Sequence, residues 1–137
     1  MENREIVIIL VKNSKGQLYV NKRRKDKKLY PGYFGLGAGG RIEKGETHKE
    51  AAQRELFEEL KTHSPIRYLF KYKFKEFGTN QYIYETTINN QILNCDDEWE
   101  WSGWMDKEDV DKILADNKFA PDTAITYKKY IGYLNSE

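Results

Sequence analysis

Gly40-Arg-Ile-Glu-Lys-Gly-Glu46, with Arg54-Glu-Leu-Phe-Glu-Glu59 eight residues further on, reads as a glycine-rich turn leading into an acidic helix. The helix is predicted over Thr47 to Leu60. Thr47 is a good N-cap and Glu50 stands three residues on, the spacing of a capping box. Ala52, Leu56 and Leu60 recur at i, i+4 and i+8 and form the buried stripe. At roughly 100° per residue, Glu55, Glu58 and Glu59 fall within a sector of about 100°. Carboxylates crowded in this way repel one another unless a cation lies among them. Hard divalent ions prefer such oxygen ligands, and Mg²⁺ keeps waters and shares substrate phosphates. The adjacent Arg54 is expected to point elsewhere and to pair with Glu46, bridging loop to helix. The same spacing also suits an ordinary solvated acidic face, and by itself it gives the two readings comparable weight.

Outward from this segment, Ile6-Val-Ile-Ile-Leu-Val11 reads as a buried strand, Ser14 to Gln17 as a turn and Leu18 to Asn21 as the returning strand of a hairpin. A basic loop, Lys22-Arg-Arg-Lys-Asp-Lys-Lys28, follows and is closed by Tyr30-Pro-Gly32. Residues 33–40 mix aromatic or small residues with glycine. Beyond the helix, Tyr68 to Phe77 and Gln81 to Ile88 alternate around Gly78-Thr-Asn80 as a second antiparallel hairpin. Trp99, Trp101 and Trp104 mark a further strand, Asp106 caps a helix to about Ala115, and Asp122 caps a last helix carrying Tyr127, Tyr130, Ile131 and Leu134. Interleaved strands and helices predict an α/β protein, a mixed β-sheet sandwiched between helices.

The 137 residues fit one domain, 1–137, with one core. A net charge of +1 provides no global field for a nucleic acid polymer or a membrane. The run Ile6 to Val11 is too short for a signal-peptide core or a membrane span. The lone Cys95 has no disulfide partner, and no Cys/His set has zinc spacing, so a reducing cytoplasmic setting is expected. The aromatic content is compatible with a homodimer.

The acidic segment resembles the Nudix box, G-x5-E-x7-R-E-U-x-E-E-x-G-U with U aliphatic. Gly40, Glu46, Arg54, Glu55, Leu56, Glu58 and Glu59 match it; Lys61 stands in place of the glycine and Thr62 in place of the last aliphatic residue. Glycine just past a helix takes a left-handed conformation, so Lys61 there would cost about 1 kcal/mol unless the helix ends differently. The resemblance implies the α/β/α sandwich of the MutT-like Nudix hydrolases and cleavage of a diphosphate bond with Mg²⁺, Mn²⁺ being an alternative ion. It implies Glu58 and Glu59 as metal ligands, Glu55 as a ligand or as the base that orients water, the Gly40 carbonyl in the metal shell, and Arg54 with Glu46 as a structural pair. A further carboxylate from outside the box is expected among Asp97, Glu98 and Glu100, with Glu98 best placed; a solvated stretch before the strand is the competing reading.

Arg23-Arg24, Lys27-Lys28, Pro31-Gly32, Ala38-Gly39-Gly40 and Phe119-Ala-Pro-Asp-Thr123 resemble the isopentenyl-diphosphate-isomerase-like branch. That reaction requires a cysteine and a histidine in the strand before the box, where this chain has Gly39 and Arg41, and no histidine precedes His48. The resemblance therefore implies architecture rather than isomerisation. Arg23, Arg24 and Lys28 are candidate diphosphate contacts, with a solvated hairpin exit as the alternative. Tyr30, Tyr33 and Phe34 could stack a base or simply wall a cleft. His48 is placed at a solvated helix start and His63 in a loop. The expected activity is hydrolysis of a nucleoside diphosphate linked to another group X. A non-catalytic nucleotide-sensing module is the second reading, although such modules tend to lose the box carboxylates retained here.

Overall fold

A computed structural model describes residues 5–90, 92 and 97–136; Cys95 lies outside them. The central strand is β1 (Glu5–Lys12), whose alternation sends Val7, Ile9 and Val11 to one face and Leu10, flanked by Ile8, to the other. It pairs in parallel over eight residues, Glu5↔Asn80 to Lys12↔Thr87, with the strand Thr79–Thr87, here β6. β6 pairs antiparallel with the preceding strand β5 (Arg67–Phe74), which bulges between Tyr68 and Phe70. The turn joining them is Lys75 to Gly78, so Thr79 and Asn80, expected in the turn, already belong to β6.

The first predicted hairpin holds only at its mouth. β2 (Leu18–Arg23) meets β1 at Lys12↔Leu18 and then diverges. Two short strands enter the gap, β3 (Phe34–Leu36) against β2 and β4 (Ala38–Arg41) against β1. Gly37 between them has φ of 61°, and a Cβ there would lie 1.9 Å from the Ile9 carbonyl oxygen, so only glycine permits this crossing. β2 takes β7 (Trp99–Met105) on its other edge.

Helices cover both faces. α1 (His48–Leu60) begins with the predicted capping box: Thr47 Oγ1 accepts from the Glu50 amide at 3.1 Å, and Glu50 Oε1 accepts from the Thr47 amide at 2.9 Å. It ends at Lys61 with φ of 53°, the left-handed exit that glycine would favour. Ala51, Ala52, Leu56 and Leu60 pack on Val7, Ile9, Val11, Ala38 and Tyr84. Each leucine buried so fully contributes about 1.5–3 kcal/mol. On the opposite face, α2 (Lys107–Ala115) and α3 (Pro121–Asn135) set Val110, Ile113, Tyr127 and Tyr130 against Leu10, Val20 and Ile83. The mixed sheet thus lies between helical layers. α3 starts two residues earlier than expected, with Pro121 in its first turn and Ala120 as the cap; Asp122 lies inside the helix, and Leu134 is exposed. No helix among the described residues is long and apolar enough to cross a membrane.

Candidate active site

Three elements converge on the acidic face of α1: β4, the loop after it and the helix itself. β4 presents Gly39 and Gly40 to the carboxylates. The Gly39 amide donates to Glu59 Oε2 at 3.0 Å, and this bond turns Glu59 inward, leaving it only 8% exposed. A Cβ on Gly40 would sit 2.5 Å from the Glu55 carboxyl, so any side chain there would displace that carboxyl from its present position. Glu55 and Glu59 share a hydrogen bond, and burial pushes the Glu55 carboxyl above the usual carboxylate range; Arg54 and Glu59 pull it back, while the Glu58 charge adds to the rise.

Arg54 corrects the sequence expectation, because it does not turn away from the carboxylates. Its guanidinium clamps Glu46 through Nε at 2.6 Å and Nη2 at 3.0 Å, and Nη2 also donates to the Arg41 carbonyl at 3.0 Å. Nη1 reaches Glu55 at 2.7 Å and Glu58 at 3.2 Å. The repulsion expected among the glutamates is therefore met in part by a cation of the chain itself. Paired this way, Glu46 is held well below the usual range, at about 2, chiefly by its hydrogen bond to Arg54. Glu58 leans toward Arg54 with its side chain 55% exposed. Among the described residues, no three acidic, histidine or cysteine side chains are gathered into a ready metal cage. The donor chemistry nevertheless fits a hard divalent ion: oxygens only, from the buried Glu59 and partly buried Glu55 carboxylates, beside a backbone stripped of side chains at Gly39 and Gly40.

A model of the NUDIX domain matches residues 2–128. The chain belongs to the Nudix family. As a Nudix hydrolase it is a pyrophosphohydrolase, and hydrolases of this family use divalent cations. It is 32% identical over 120 residues to an uncharacterized Nudix hydrolase of Listeria monocytogenes (85% of this chain, 71% of that one), and 43% identical over 122 residues to another from Listeria innocua (85% and 71%). It is also 27% identical over 127 residues to the nucleoside triphosphatase NudI of an Enterobacter species (82% and 89%). A MutT protein from Methanosarcina mazei superposes with a TM-score of 0.74 at 18% identity, covering 100% of this chain and 99% of that one. A Deinococcus radiodurans structure gives 0.81 at 23%, covering 92% and 82%.

Beside the Nudix glutamates a cleft opens between the two halves of the sheet. Its inner part, about 250 Å³, is lined by Glu59, Glu98, Arg23, Asn21 and the backbone of residues 35–40. The outer part, about 430 Å³, shares Arg23 and Trp99 with it and adds Tyr30, Phe34, Phe77 and Arg41. Of the predicted basic contacts only Arg23 lines the cleft, braced by a 2.6 Å bond from Nε to the Leu29 carbonyl. Arg24 folds onto Asp26 at 2.7 Å, and neither it nor Lys28 lines the cleft. Glu98 does, whereas Asp97 and Glu100 do not. Tyr30 and Phe34 are wall residues, and Tyr33 stacks on Tyr30 from outside the lining. His48 is not at a solvated end: it stacks on Tyr82 at 4.4 Å and bonds the Tyr84 hydroxyl. His63 lies against Phe57 in the loop after α1. At Gly39, where the isomerase branch carries its cysteine, a Cβ would lie 2.7 Å from the Val7 carbonyl oxygen, so β1 leaves no room for a side chain.

Sequence reasoning missed Asp122 and Thr123 as cleft residues, reading Asp122 only as a helix cap. The signal was present in Phe119-Ala-Pro-Asp-Thr123. A proline at the start of a helix fixes the first turn, and Phe119, buried at 3% exposure, anchors that turn against the core, so the next acid is delivered to the cleft.

Proposed function

We propose that this Nudix hydrolase cleaves the diphosphate bond of a small nucleoside diphosphate linked to a second group, using Mg²⁺, with Mn²⁺ able to replace it. The observation that carries this reading is the continuity of the cleft: Glu59 and Glu98 line the same space as Arg23 and the aromatic wall. In this reading Glu58 and Glu59 would hold the ion and the Gly40 carbonyl would add an oxygen, leaving Glu55 for the attacking water. A bound divalent cation supplies an activated water and neutralises charge developing on the phosphate oxygens.

The chain's own groups do the remainder. Arg54 and Glu46 keep α1 in register with the loop, and Glu58, exposed and tied to Arg54 by one contact, would be free to turn to a bound ion. Glu55, held partly out of water, is the group suited to accept a proton from the attacking water. Glu98 adds a carboxylate from the opposite wall. Arg23 has Nε committed to Leu29 and Nη1 facing Glu98 at 4.0 Å, and its guanidinium would turn from that loose pair to a phosphate. The proposed setting is the cytoplasm, on the grounds of a single cysteine and no zinc-type cluster in the sequence.

The test is incubation with Mg²⁺ and a panel of nucleoside triphosphates, dinucleotides, nucleotide sugars and isoprenoid diphosphates, read as phosphate release. Turnover on a nucleotide diphosphate is expected. Absence of turnover on every compound, together with no Mg²⁺ uptake by calorimetry, would overturn the reading.

A further inference from the structure

Arg41 lines the outer part of the cleft, and the hydrolytic machinery makes no use of its side chain. The pairing of the sheet decides where that side chain goes. Arg41 of β4 lies opposite Ile6 of β1, Ile6 opposite Gln81 of β6, and Gln81 opposite Tyr72 of β5. Residues paired across strands share a face, so these four form one row. Its far end identifies the face: the Tyr72 hydroxyl donates to the Asp122 carbonyl at 2.9 Å, and Gln81 is hydrogen-bonded to the Asp122 carboxyl, both in the first turn of α3. Arg41 therefore stands on the α3 side, where the cleft opens, whereas its neighbour Gly40 faces α1 and Glu55. The Arg41 backbone is pinned from the other layer, its carbonyl accepting from Arg54 Nη2 at 3.0 Å.

The Arg41 guanidinium makes no hydrogen bond or ion pair with any described residue. Arg23, the other arginine of this lining, is only partly engaged: Nε donates to the Leu29 carbonyl, and Nη1 faces Glu98 at 4.0 Å. Asp122 is the one acid among the residues lining the outer part, and its carboxyl already accepts from the Thr123 amide at 2.9 Å and from Gln81. Two arginines thus border a space of about 430 Å³ walled by Tyr30, Phe34 and Trp99. Positive charge beside aromatic surfaces suits a flat ring joined to a phosphate, whose oxygens the guanidinium fork meets in pairs. Arg41 also occupies the strand position where the isomerase branch needs a histidine. An arginine does not release its proton, so the residue is suited to hold an anion rather than to transfer a proton.

We infer that Arg41 is a second phosphate-binding residue of this cleft, and that together with Arg23 it holds the phosphate that carries the nucleoside. The nucleoside ring would lie among Tyr30, Phe34 and Trp99, with the other phosphate at the glutamates of α1. Arg41 would hold that phosphate equally well before and during bond cleavage, so its contribution is to binding rather than to turnover. This inference rests on the nucleotide reading proposed above and assigns the nucleoside-side phosphate to the outer cleft.

The experiment is calorimetric titration of the full chain with inorganic pyrophosphate in EDTA, followed by kinetics with Mg²⁺ on whichever compound of the panel turns over fastest. Arg41→Gln is expected to bind pyrophosphate about tenfold or more weakly than the native chain, the usual worth of charge-assisted hydrogen bonds. Arg41→Lys should recover part of that loss, because it restores the charge without the fork. Arg24→Gln removes the same charge outside the cleft, where Arg24 folds onto Asp26, and should bind as the native chain does. In the kinetics Arg41→Gln should raise KM by a similar factor while kcat changes by less than about threefold. The nucleoside monophosphate product should inhibit the native enzyme competitively and this variant about tenfold less. An arginine that merely supports the fold would lower kcat and leave inhibition by the product unchanged. No binding of pyrophosphate by the native chain, undiminished binding or undiminished product inhibition in Arg41→Gln, or an equal loss in Arg24→Gln would overturn the inference. Pyrophosphate binding that depends on Arg41, with no turnover of any compound in the panel, would instead refute the hydrolase reading and leave Arg41 as a phosphate-binding residue.

Discussion

Glu58 and Glu46 are both anchored to Arg54 and respond to it differently. Glu58 shares its contact with water, so replacing it should disturb chemistry more than fold. Glu58→Gln is expected to lower kcat by roughly 10²-fold or more while Tm stays within a degree or two, measured by phosphate release and thermal unfolding. Full activity in that variant would place the metal elsewhere. Glu46 is the opposite case. Its carboxyl lies at about 2 when folded against 4.5 ordinarily, so the folded state binds its proton less readily than the unfolded chain. The stability contributed by this pair is fully present above pH 4.5, and it declines as pH falls from there toward 2. Denaturant titrations across that window should show the decline in the native protein and a shallower one in Glu46→Gln; matching slopes would contradict the assignment.

At the level of elements, α1 was legible because its determinants are local. Thr47 and Glu50, the Ala52–Leu56–Leu60 stripe and the three glutamates lie within about four turns of one another. Even the cost at its exit could be read, and Lys61 does adopt the left-handed conformation, its Nζ donating to the Glu58 carbonyl at 2.9 Å as partial compensation. Two variants bracket the helix. Thr47→Ala should cost about 1 kcal/mol through loss of the cap. Lys61→Gly should gain up to about 1 kcal/mol through relief of the backbone. Chemical denaturation read by circular dichroism decides both, and a destabilised Lys61→Gly would show that the side-chain bond outweighs the strain. β3 and β4 were not legible. They are three and four residues long, glycine-rich and without alternation, and their place depends on the Gly37 crossing against Ile9, a contact twenty-eight residues apart in sequence. Arg24 was misjudged for a related reason: composition marks a basic loop, but only the turn at Asp26 determines which arginine faces the cleft.

Across the whole molecule, the layers are tied together by one acid. Glu85, 4% exposed, accepts from Arg67 of β5 and from Tyr130 of α3 and pairs with Lys12 of β1 at 3.4 Å. Despite burial its carboxyl stays below the ordinary range, because Arg67, Lys12 and Tyr130 together outweigh desolvation. Arg67 and Lys12 can reach water when their partner is lost, with side chains 57% and 35% exposed, so the penalty falls mainly on Tyr130. Glu85→Ala is therefore expected to cost about 2 kcal/mol rather than the larger loss typical of a fully enclosed pair. A change below a few tenths in urea unfolding would mean that the layers are joined by apolar packing alone. The α/β/α sandwich could be foreseen because it requires only the order of elements. The cleft could not, since its walls are drawn from β2, β3, the loop at Tyr30 and the first turn of α3, segments brought together only by the sheet.

The parallel pairing of β1 with β6 also sets a schedule for the ribosome. Glu5 meets Asn80 and Lys12 meets Thr87, so each residue of β1 is made about seventy-five residues before its partner. At translation speeds of about 5–20 residues per second the strand waits roughly 4–15 s for that partner. Only one partner of Ile6-Val-Ile-Ile-Leu-Val11 is made within that interval, β4, whose Ala38 to Arg41 pair with Ile9 to Ile6. Until then the segment is an unpaired apolar strand, and afterwards one edge of it stays open, the kind of segment that chaperones bind and that aggregates when they do not.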